Sequence, residues 1–133
     1  MIPILEARGL TMAFPRRGRE ELEAVHDVSF RLERGQALGV VGGSGSGKST
    51  LARLLVRLLD PTAGTLLLDG RDVTRARGAQ LRQVWRSVQM VFQSPAASFD
   101  PRRTLLSAVA EPLQNAGLSR RDAGRQALAL LER

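Results

Sequence analysis

The sequence predicts an α/β fold, and three features of the 133-residue chain support this prediction. Residues 36–41 form a short apolar run typical of a buried parallel strand, and a glycine-rich segment follows it. Residues 48–59 then have the composition of a helix, which gives the order strand, loop, helix. Residues 4–14 and 24–33 carry apolar side chains with a period of two, which predicts two strands of an antiparallel layer.

Turn residues and changes of hydrophobic period divide the rest of the chain. In chain order we predict a charged surface loop at 15–21, a turn at 60–64 that ends the first helix, a strand at 65–68, a turn at 69–72, a short helix at 75–86, a strand at 87–92, a loop at 93–101 and helices at about 104–115 and 119–133. In the helix at 75–86, Leu81, Val84 and Trp85 would share one face. With 133 residues, of which 43% are hydrophobic, the chain can form one hydrophobic core but is too short for two domains that each have a full core.

The glycine-rich segment carries the strongest chemical signal. Residues 42–49 match the phosphate-binding pattern G-x-x-x-x-G-K-[ST]. Lys48 is the only lysine among 20 basic residues, so this position requires a compact ammonium that can follow a phosphate rather than a wide guanidinium. Glycines let backbone N–H groups turn toward an anion, the following helix presents its positive end, and Ser49 supplies a hydroxyl for Mg²⁺.

These features predict a site for a nucleotide triphosphate with Mg²⁺. The alternative, a flexible Gly/Ser-rich linker, is disfavoured because the segment lies between a predicted strand and a predicted helix. The predicted phosphate-binding residues are Gly42, Gly43, Ser44, Gly45, Ser46, Gly47, Lys48, Ser49 and Thr50.

Composition limits the other classes of function. The net charge of +7 invites a nucleic-acid interpretation, but the arginines are dispersed and the chain has no tyrosine and one tryptophan. We therefore expect no nucleic-acid partner. The chain has no cysteine, no early secretory signal and no apolar stretch near the roughly 18 residues of a membrane helix, so we expect a soluble cytoplasmic polypeptide.

Taken together, the motifs resemble the N-terminal half of an ABC transporter ATP-binding subunit, and within that superfamily the peptide/nickel importer group. The resemblance covers nearly all of the chain and rests on GGSGSGKST at 42–50, TLLLDG at 65–70, VQMVFQSP at 88–95 and SFDPR at 98–102. It implies one incomplete domain: an antiparallel β layer at 1–35, a P-loop NTPase core at 36–93, and a Q-loop with the start of a helical subdomain at 94–133.

The resemblance also implies roles for residues outside the glycine-rich loop. Gln93 would be the Q-loop glutamine, whose amide contacts Mg²⁺ and its water and responds to the transmembrane partner. Phe14 would stack on adenine, and Val25 would pack near the sugar. The alternatives are that Gln93 caps a turn and that Phe14 is an inward-facing strand residue.

Two residues, Asp69 and His26, could be mistaken for functional residues of this family. Asp69 ends an apolar run like the Mg²⁺-binding aspartate of a Walker B strand, but it runs into Gly70, so we predict a hairpin turn. His26 is the only histidine, and it precedes the phosphate loop, whereas the family's switch histidine lies near the end of the domain. We interpret His26 as a surface strand residue.

The chain has no LSGGQ-like signature, Walker B strand, D-loop or switch histidine, which in the family follow the position where it ends. We therefore expect a fragment, a truncated reading frame or an expressed part of a longer protein, inactive as an ATPase by itself.

In the complete protein, ATP and Mg²⁺ would lie between Phe14, residues 42–50 and a second ATP-binding subunit. A transmembrane permease would contact the groove near Gln93 at the inner face of the membrane, and hydrolysis would energise import of peptides or nickel.

The alternatives are an ABC-type ATPase acting on DNA, a small-metabolite P-loop kinase and a non-functional remnant. An ABC-type ATPase acting on DNA should carry a long coiled-coil or zinc insertion, and this sequence has none. A small-metabolite kinase would not explain a strand that ends in Gln93.

Overall fold

The computed structural model of the protein describes residues 2–94 and 99–133. Residues up to Met90 form one compact unit, and residues from Val91 form a second. Part of the predicted loop at 93–101, with Pro95 and Ser98 of the quoted motifs, lies outside the described residues. The elements in chain order are β1 (Leu5–Phe14), β2 (Leu22–Leu32), α1 (Lys48–Leu55), β3 (Ala63–Leu68), β4 (Arg71–Asp72), α2 (Gly78–Ser87), α3 (Leu105–Asn115) and α4 (Arg120–Leu131).

The strands of the first unit form an antiparallel sheet in the order β2-β1-β3-β4. The predicted antiparallel pair at 4–14 and 24–33 is confirmed, with Leu5 opposite Leu32. Alternating apolar side chains of β1 and β3 enter the core, where Leu10 and Leu66 are fully buried. Val84 of α2 packs on the same cluster, so the sheet and α2 share one core.

A tight turn joins β3 to β4. Leu68 pairs with Arg71, and the two residues between them, Asp69 and Gly70, both have positive φ angles of 48° and 73°. Positive φ at both central residues matches the twist of an antiparallel hairpin. The interpretation of Asp69 as a turn residue is confirmed, and its carboxylate pairs with Arg34 at 2.5 Å.

Helix α1 is shorter than predicted. The sequence suggests a helix over 48–59, but α1 ends at Leu55, and Arg57 adopts a left-handed conformation with φ 57°. The apolar pattern of residues 56–59 continues the helical period, yet these residues form a turn and a bend after the helix. The predicted helix at 75–86 is present as α2, shifted toward the C-terminus at both ends.

The predicted strands at 36–41 and 87–92 are wrong. Neither run belongs to a strand in the described part of the chain, and Ser87 is instead the last residue of α2. A strand exists only when a neighbour accepts and donates its ladder hydrogen bonds, and no described strand pairs with these runs. Many of their apolar side chains consequently face solvent, with Val41 94% and Val91 89% exposed, whereas Val88 and Met90 are half-buried.

The second unit is a helical hairpin. Thr104 caps α3 by accepting a hydrogen bond from the Ser107 N–H, and Ser119 caps α4 by accepting one from the Asp122 N–H. The two helices meet through small buried side chains, Ala110, Ala123 and Ala127. The two predicted C-terminal helices are confirmed within one or two residues at each end.

We predict that residues 1–133 alone self-associate, because the exposed apolar runs offer unpaired backbone and apolar side chains to other copies. Sedimentation velocity should show species larger than a monomer, and a double Val41→Asp and Val91→Asp variant should shift the distribution toward monomer. A monomeric profile with a cooperative thermal melt for the unmodified chain would contradict this prediction.

Candidate functional site

Residues 42–47 form a glycine-rich loop that leads directly into α1. The Ser46 N–H donates to the Gly43 carbonyl at 3.3 Å, which closes a turn, and Gly45 and Gly47 have φ angles of 78° and 87°. These positive φ angles suit glycine and strain other residues. At Gly47 a side chain is also excluded by space, because a Cβ there would overlap the backbone carbonyl oxygen of Ala24 on β2. The last glycine of the motif is therefore fixed by a contact with the sheet.

Lys48 folds back into the loop that precedes it. Its Nζ donates to the carbonyl oxygens of Gly42 at 2.7 Å and Gly43 at 2.5 Å, and to Ser46 Oγ at 3.2 Å. An ammonium has three donors, and all three have acceptors within the loop. These bonds hold the positive charge at the centre of the loop.

The N-terminus of α1 is open to an external acceptor. Among the described residues, no side chain caps it, and no acidic residue lies in its first turn. The Leu51 N–H donates to the Gly47 carbonyl at 2.8 Å, which leaves the N–H groups of Lys48, Ser49 and Thr50 for a partner outside the helix. The helix dipole and the Lys48 ammonium make this end strongly positive. The arrangement fits a phosphate group.

A cavity of ≈ 500 Å³ adjoins the loop. Ser46, Gly47 and Lys48 line one part of it, and β2 and the apolar run at 38–41 line the rest. Its volume lies in the range of small-molecule sites. Val25, expected near the sugar, lines this cavity and is buried against Leu51 and Leu54 of α1.

The structure does not bring every predicted site residue into this cavity lining. Phe14 is half-buried at the last position of β1, opposite Leu22, and is not among the lining residues. Gln93 is exposed in the second unit. His26 is an exposed strand residue, as interpreted from the sequence, although it borders the cavity. A hydrogen bond from His26 to Glu23 raises the pKa of the imidazole.

Ser49 is exposed at the start of α1, and its hydroxyl oxygen is the kind of ligand that hard cations take. Within residues 2–94 and 99–133, no group of three or more His, Cys, Asp or Glu side chains is arranged to hold a metal ion. In the same ranges, no helix has the length and apolar character needed to cross a membrane.

Sequence reasoning missed the role of Ala24. Its backbone oxygen excludes a side chain at Gly47, and this contact joins the glycine-rich loop to the antiparallel layer. No side-chain pattern could have revealed this contact, because the contacting atom belongs to the main chain.

The comparison with known families agrees with this geometry. The family model described as ABC transporter matches residues 25–133, which include the loop, α1 and all later elements. The chain belongs to the ABC transporter family. The resemblance stated from the motifs is confirmed, and with it the fold class, since the solved neighbours are ATP-binding cassettes.

Two curated relatives and one solved structure illustrate the family membership. The "Probable peptide ABC transporter ATP-binding protein y4tS" of Sinorhizobium fredii is 51% identical over 109 residues, covering 81% of this chain and 30% of that protein. The di/tripeptide transport ATP-binding protein DppF of Pseudomonas aeruginosa is 45% identical over 128 residues, covering 92% and 40%. The ATP-binding cassette MJ0796, solved as a dimer with ADP and Pi, has a TM-score of 0.79 at 26% identity, covering 96% of this chain and 56% of that one.

The chain thus spans less than half the length of these two curated relatives and just over half of the solved cassette.

Proposed function

We propose that this chain is the nucleotide-binding front part of an ABC importer ATP-binding subunit and that it binds ATP with Mg²⁺ through residues 42–50. One observation carries the proposal: the Lys48 ammonium is held inside the glycine loop, at the uncapped N-terminus of α1. Backbone N–H groups, a helix dipole and a cation converge there on one point, which is what a terminal phosphate requires.

Lys48, Ser49 and Thr50, the first three residues of α1, then have distinct tasks. Lys48 would donate to phosphate oxygens in place of the Gly42 and Gly43 carbonyls that accept from it now. The N–H groups of Ser49 and Thr50 would donate to the same phosphate, and the Ser49 hydroxyl would be a ligand for Mg²⁺. ATP supplies the phosphoryl group whose transfer to water releases energy, and the chain supplies positioning and charge.

Outside the loop, the proposal keeps the roles that the resemblance implies. Phe14 stacks on the adenine, Val25 packs near the sugar, and Gln93 contacts Mg²⁺ and senses the permease. We propose the domain order stated above: an antiparallel layer at 1–35, a P-loop core at 36–93, and a Q-loop segment with the start of a helical subdomain at 94–133.

The transport role is supported by the named relatives. One is named for peptide transport and another for di- and tripeptides, so we propose a peptide as the cargo of the complete transporter. The partners would be transmembrane permease subunits and a second ATP-binding subunit, as the dimeric solved cassette suggests. The subunit would work at the cytoplasmic face of the membrane.

Competition binding tests the proposal in the full-length subunit that contains this chain. Radiolabelled ATP should bind saturably, unlabelled ADP should displace it, and adenosine should displace it poorly, because the loop binds phosphate rather than the base. Equal displacement by adenosine and ADP would contradict a site built on residues 42–50.

We predict that Gln93→Ala separates nucleotide binding from transport coupling. In the full-length subunit, ATP affinity should change by less than about tenfold, or about 1.4 kcal/mol, because one amide contact to Mg²⁺ is lost while the loop is intact. Stimulation of ATPase activity by the reconstituted permease should fall much further. Gln89→Ala is the matched control, since Gln89 is an exposed glutamine whose amide donates to the Trp85 carbonyl of α2.

A loss of ATP affinity in Gln93→Ala as large as that in Lys48→Ala would refute this division of tasks. So would full permease stimulation in the variant.

A further inference from the structure

Arg57 is a buried cation that the phosphate site does not use. It follows α1 by two residues, and its side chain is 0% exposed. Its φ of 57° lies in the left-handed region, which is strained for an arginine. A buried charge in a strained conformation persists only where the surrounding contacts fix it.

Those contacts connect the end of α1 to the segment that leads into α2. The Arg57 Nε donates to the Val73 carbonyl at 2.8 Å, and Nη2 donates to the Ala76 carbonyl at 3.4 Å. Nη1 donates to the Leu59 carbonyl at 3.0 Å and to Asp60 Oδ1 at 2.7 Å. One guanidinium therefore binds acceptors before and after the β3–β4 hairpin.

Three further side chains hold the same junction. Asp60 also accepts two charged hydrogen bonds from Arg77, at 2.5 and 3.1 Å, and its bonds to Arg57 and Arg77 lower the pKa of its carboxyl group. The Trp85 Nε1 of α2 donates to the Val56 carbonyl at 3.1 Å. We call Arg57, Asp60, Arg77 and Trp85 the α1 clamp.

The clamp lies at the opposite end of α1 from the phosphate loop. The helix has eight residues, and it begins at Lys48. At a rise of 1.5 Å per residue it is about 12 Å long and behaves as a short rod. Leu51 and Leu54 pack against Val25 of β2, which fixes the face that α1 turns toward the sheet, so its position along its own axis depends on contacts at its ends.

We infer that the α1 clamp positions the phosphate loop, so that Arg57 acts as a positioning residue for nucleotide binding without touching the nucleotide. Holding the C-terminal end of α1 against the α2 segment fixes where the Lys48 ammonium and the first-turn N–H groups lie at the other end. This inference rests on the proposed function of residues 42–50.

The test compares Arg57→Met with Val84→Ala in the full-length subunit. Methionine keeps an unbranched apolar stem and removes every clamp bond of the guanidinium. Val84 is buried in α2, in the same core cluster as Val73 and Ala76, and makes none of these bonds, so its truncation weakens packing there and removes no bond of the clamp. Arg57→Lys is the conservative variant, which keeps the charge but can satisfy only part of the acceptor set.

Hydrogen exchange of the α1 amides is the first readout, at a temperature where all variants are folded by circular dichroism. Arg57→Met should speed exchange at residues 51–55, whose N–H groups are bonded within the helix, by at least about tenfold over Val84→Ala, with Arg57→Lys between them. The ATP dissociation constant should rise about tenfold in Arg57→Met and less than about threefold in Val84→Ala. Equal α1 exchange in the two variants would overturn the inference.

The exchange readout needs no nucleotide, so it tests whether the clamp holds α1 in place even if the subunit fails to bind ATP. Faster α1 exchange with an unchanged ATP dissociation constant in Arg57→Met would also overturn it, because the clamp would then stabilise α1 without serving the phosphate site.

Discussion

Replacing Lys48 with alanine should weaken ATP binding about hundredfold in the full-length subunit and abolish its ATPase activity. Charge-assisted hydrogen bonds contribute about 1.5 to 3 kcal/mol, and a hundredfold loss corresponds to about 2.8 kcal/mol. The variant also loses the bonds that join the ammonium to the Gly42 and Gly43 carbonyls, so the loop itself is less well ordered. Equilibrium dialysis with labelled ATP and a phosphate-release assay measure the two effects.

The variant Lys48→Arg should be severely impaired as well. A planar guanidinium is too wide to occupy the position where Nζ now reaches three acceptors in the loop. Arg53→Ala is the matched control, because Arg53 is an exposed cation on the same helix, in its last turn. It should retain ATP affinity and turnover, and near wild-type turnover by Lys48→Ala would refute the assignment of the loop.

Replacing Gly47 with alanine should damage both the fold and the site. Its φ of 87° is unfavourable for alanine, and the new Cβ would overlap the Ala24 carbonyl oxygen, so β2 and the loop must move apart. We expect the free energy of unfolding to fall by about 2 kcal/mol or more. ATP binding should be lost, because the first turn of α1 moves with its N-terminal residue. Chemical denaturation and equilibrium dialysis measure the two effects.

Gly43→Ala is the matched control for the glycine substitution. Gly43 occupies a variable position of the motif, and its side-chain space is open, because a Cβ added there would have no described neighbour within 4 Å. Its φ is not positive. The control should change the free energy of unfolding by less than about 1 kcal/mol. If Gly47→Ala unfolds and binds ATP like Gly43→Ala, the Ala24 contact does not constrain the loop.

The parts of the fold that depend on local patterns were predictable. Strands β1 and β2 alternate apolar and polar residues, and Asp69-Gly70 is a turn dipeptide whose conformation follows from its chemistry. The turns of the glycine-rich loop at 42–47 were predictable from the glycine spacing, and its role in binding phosphate stays a prediction. Helix α4 was predictable from its apolar period, and the structure adds the Ser119 cap.

The parts that depend on distant partners were not predictable. Residues 36–41 have strand composition, but a ladder needs a neighbour, and the described residues provide none. The early end of α1 depends on Arg57, whose buried acceptors Val73 and Ala76 lie far along the chain. The contact between Ala24 and Gly47 involves only main-chain atoms, so the pattern of side chains could not reveal it.

Backbone amide exchange in the presence and absence of ATP and Mg²⁺ tests the central claim most directly, with adenosine as the control ligand. If residues 42–50 hold the phosphates, ATP should slow exchange at the N–H groups of Ser49 and Thr50 and in the preceding loop, and adenosine should leave them unchanged. Saturating ATP that protects amides elsewhere but none between Gly42 and Thr50 would contradict the claim.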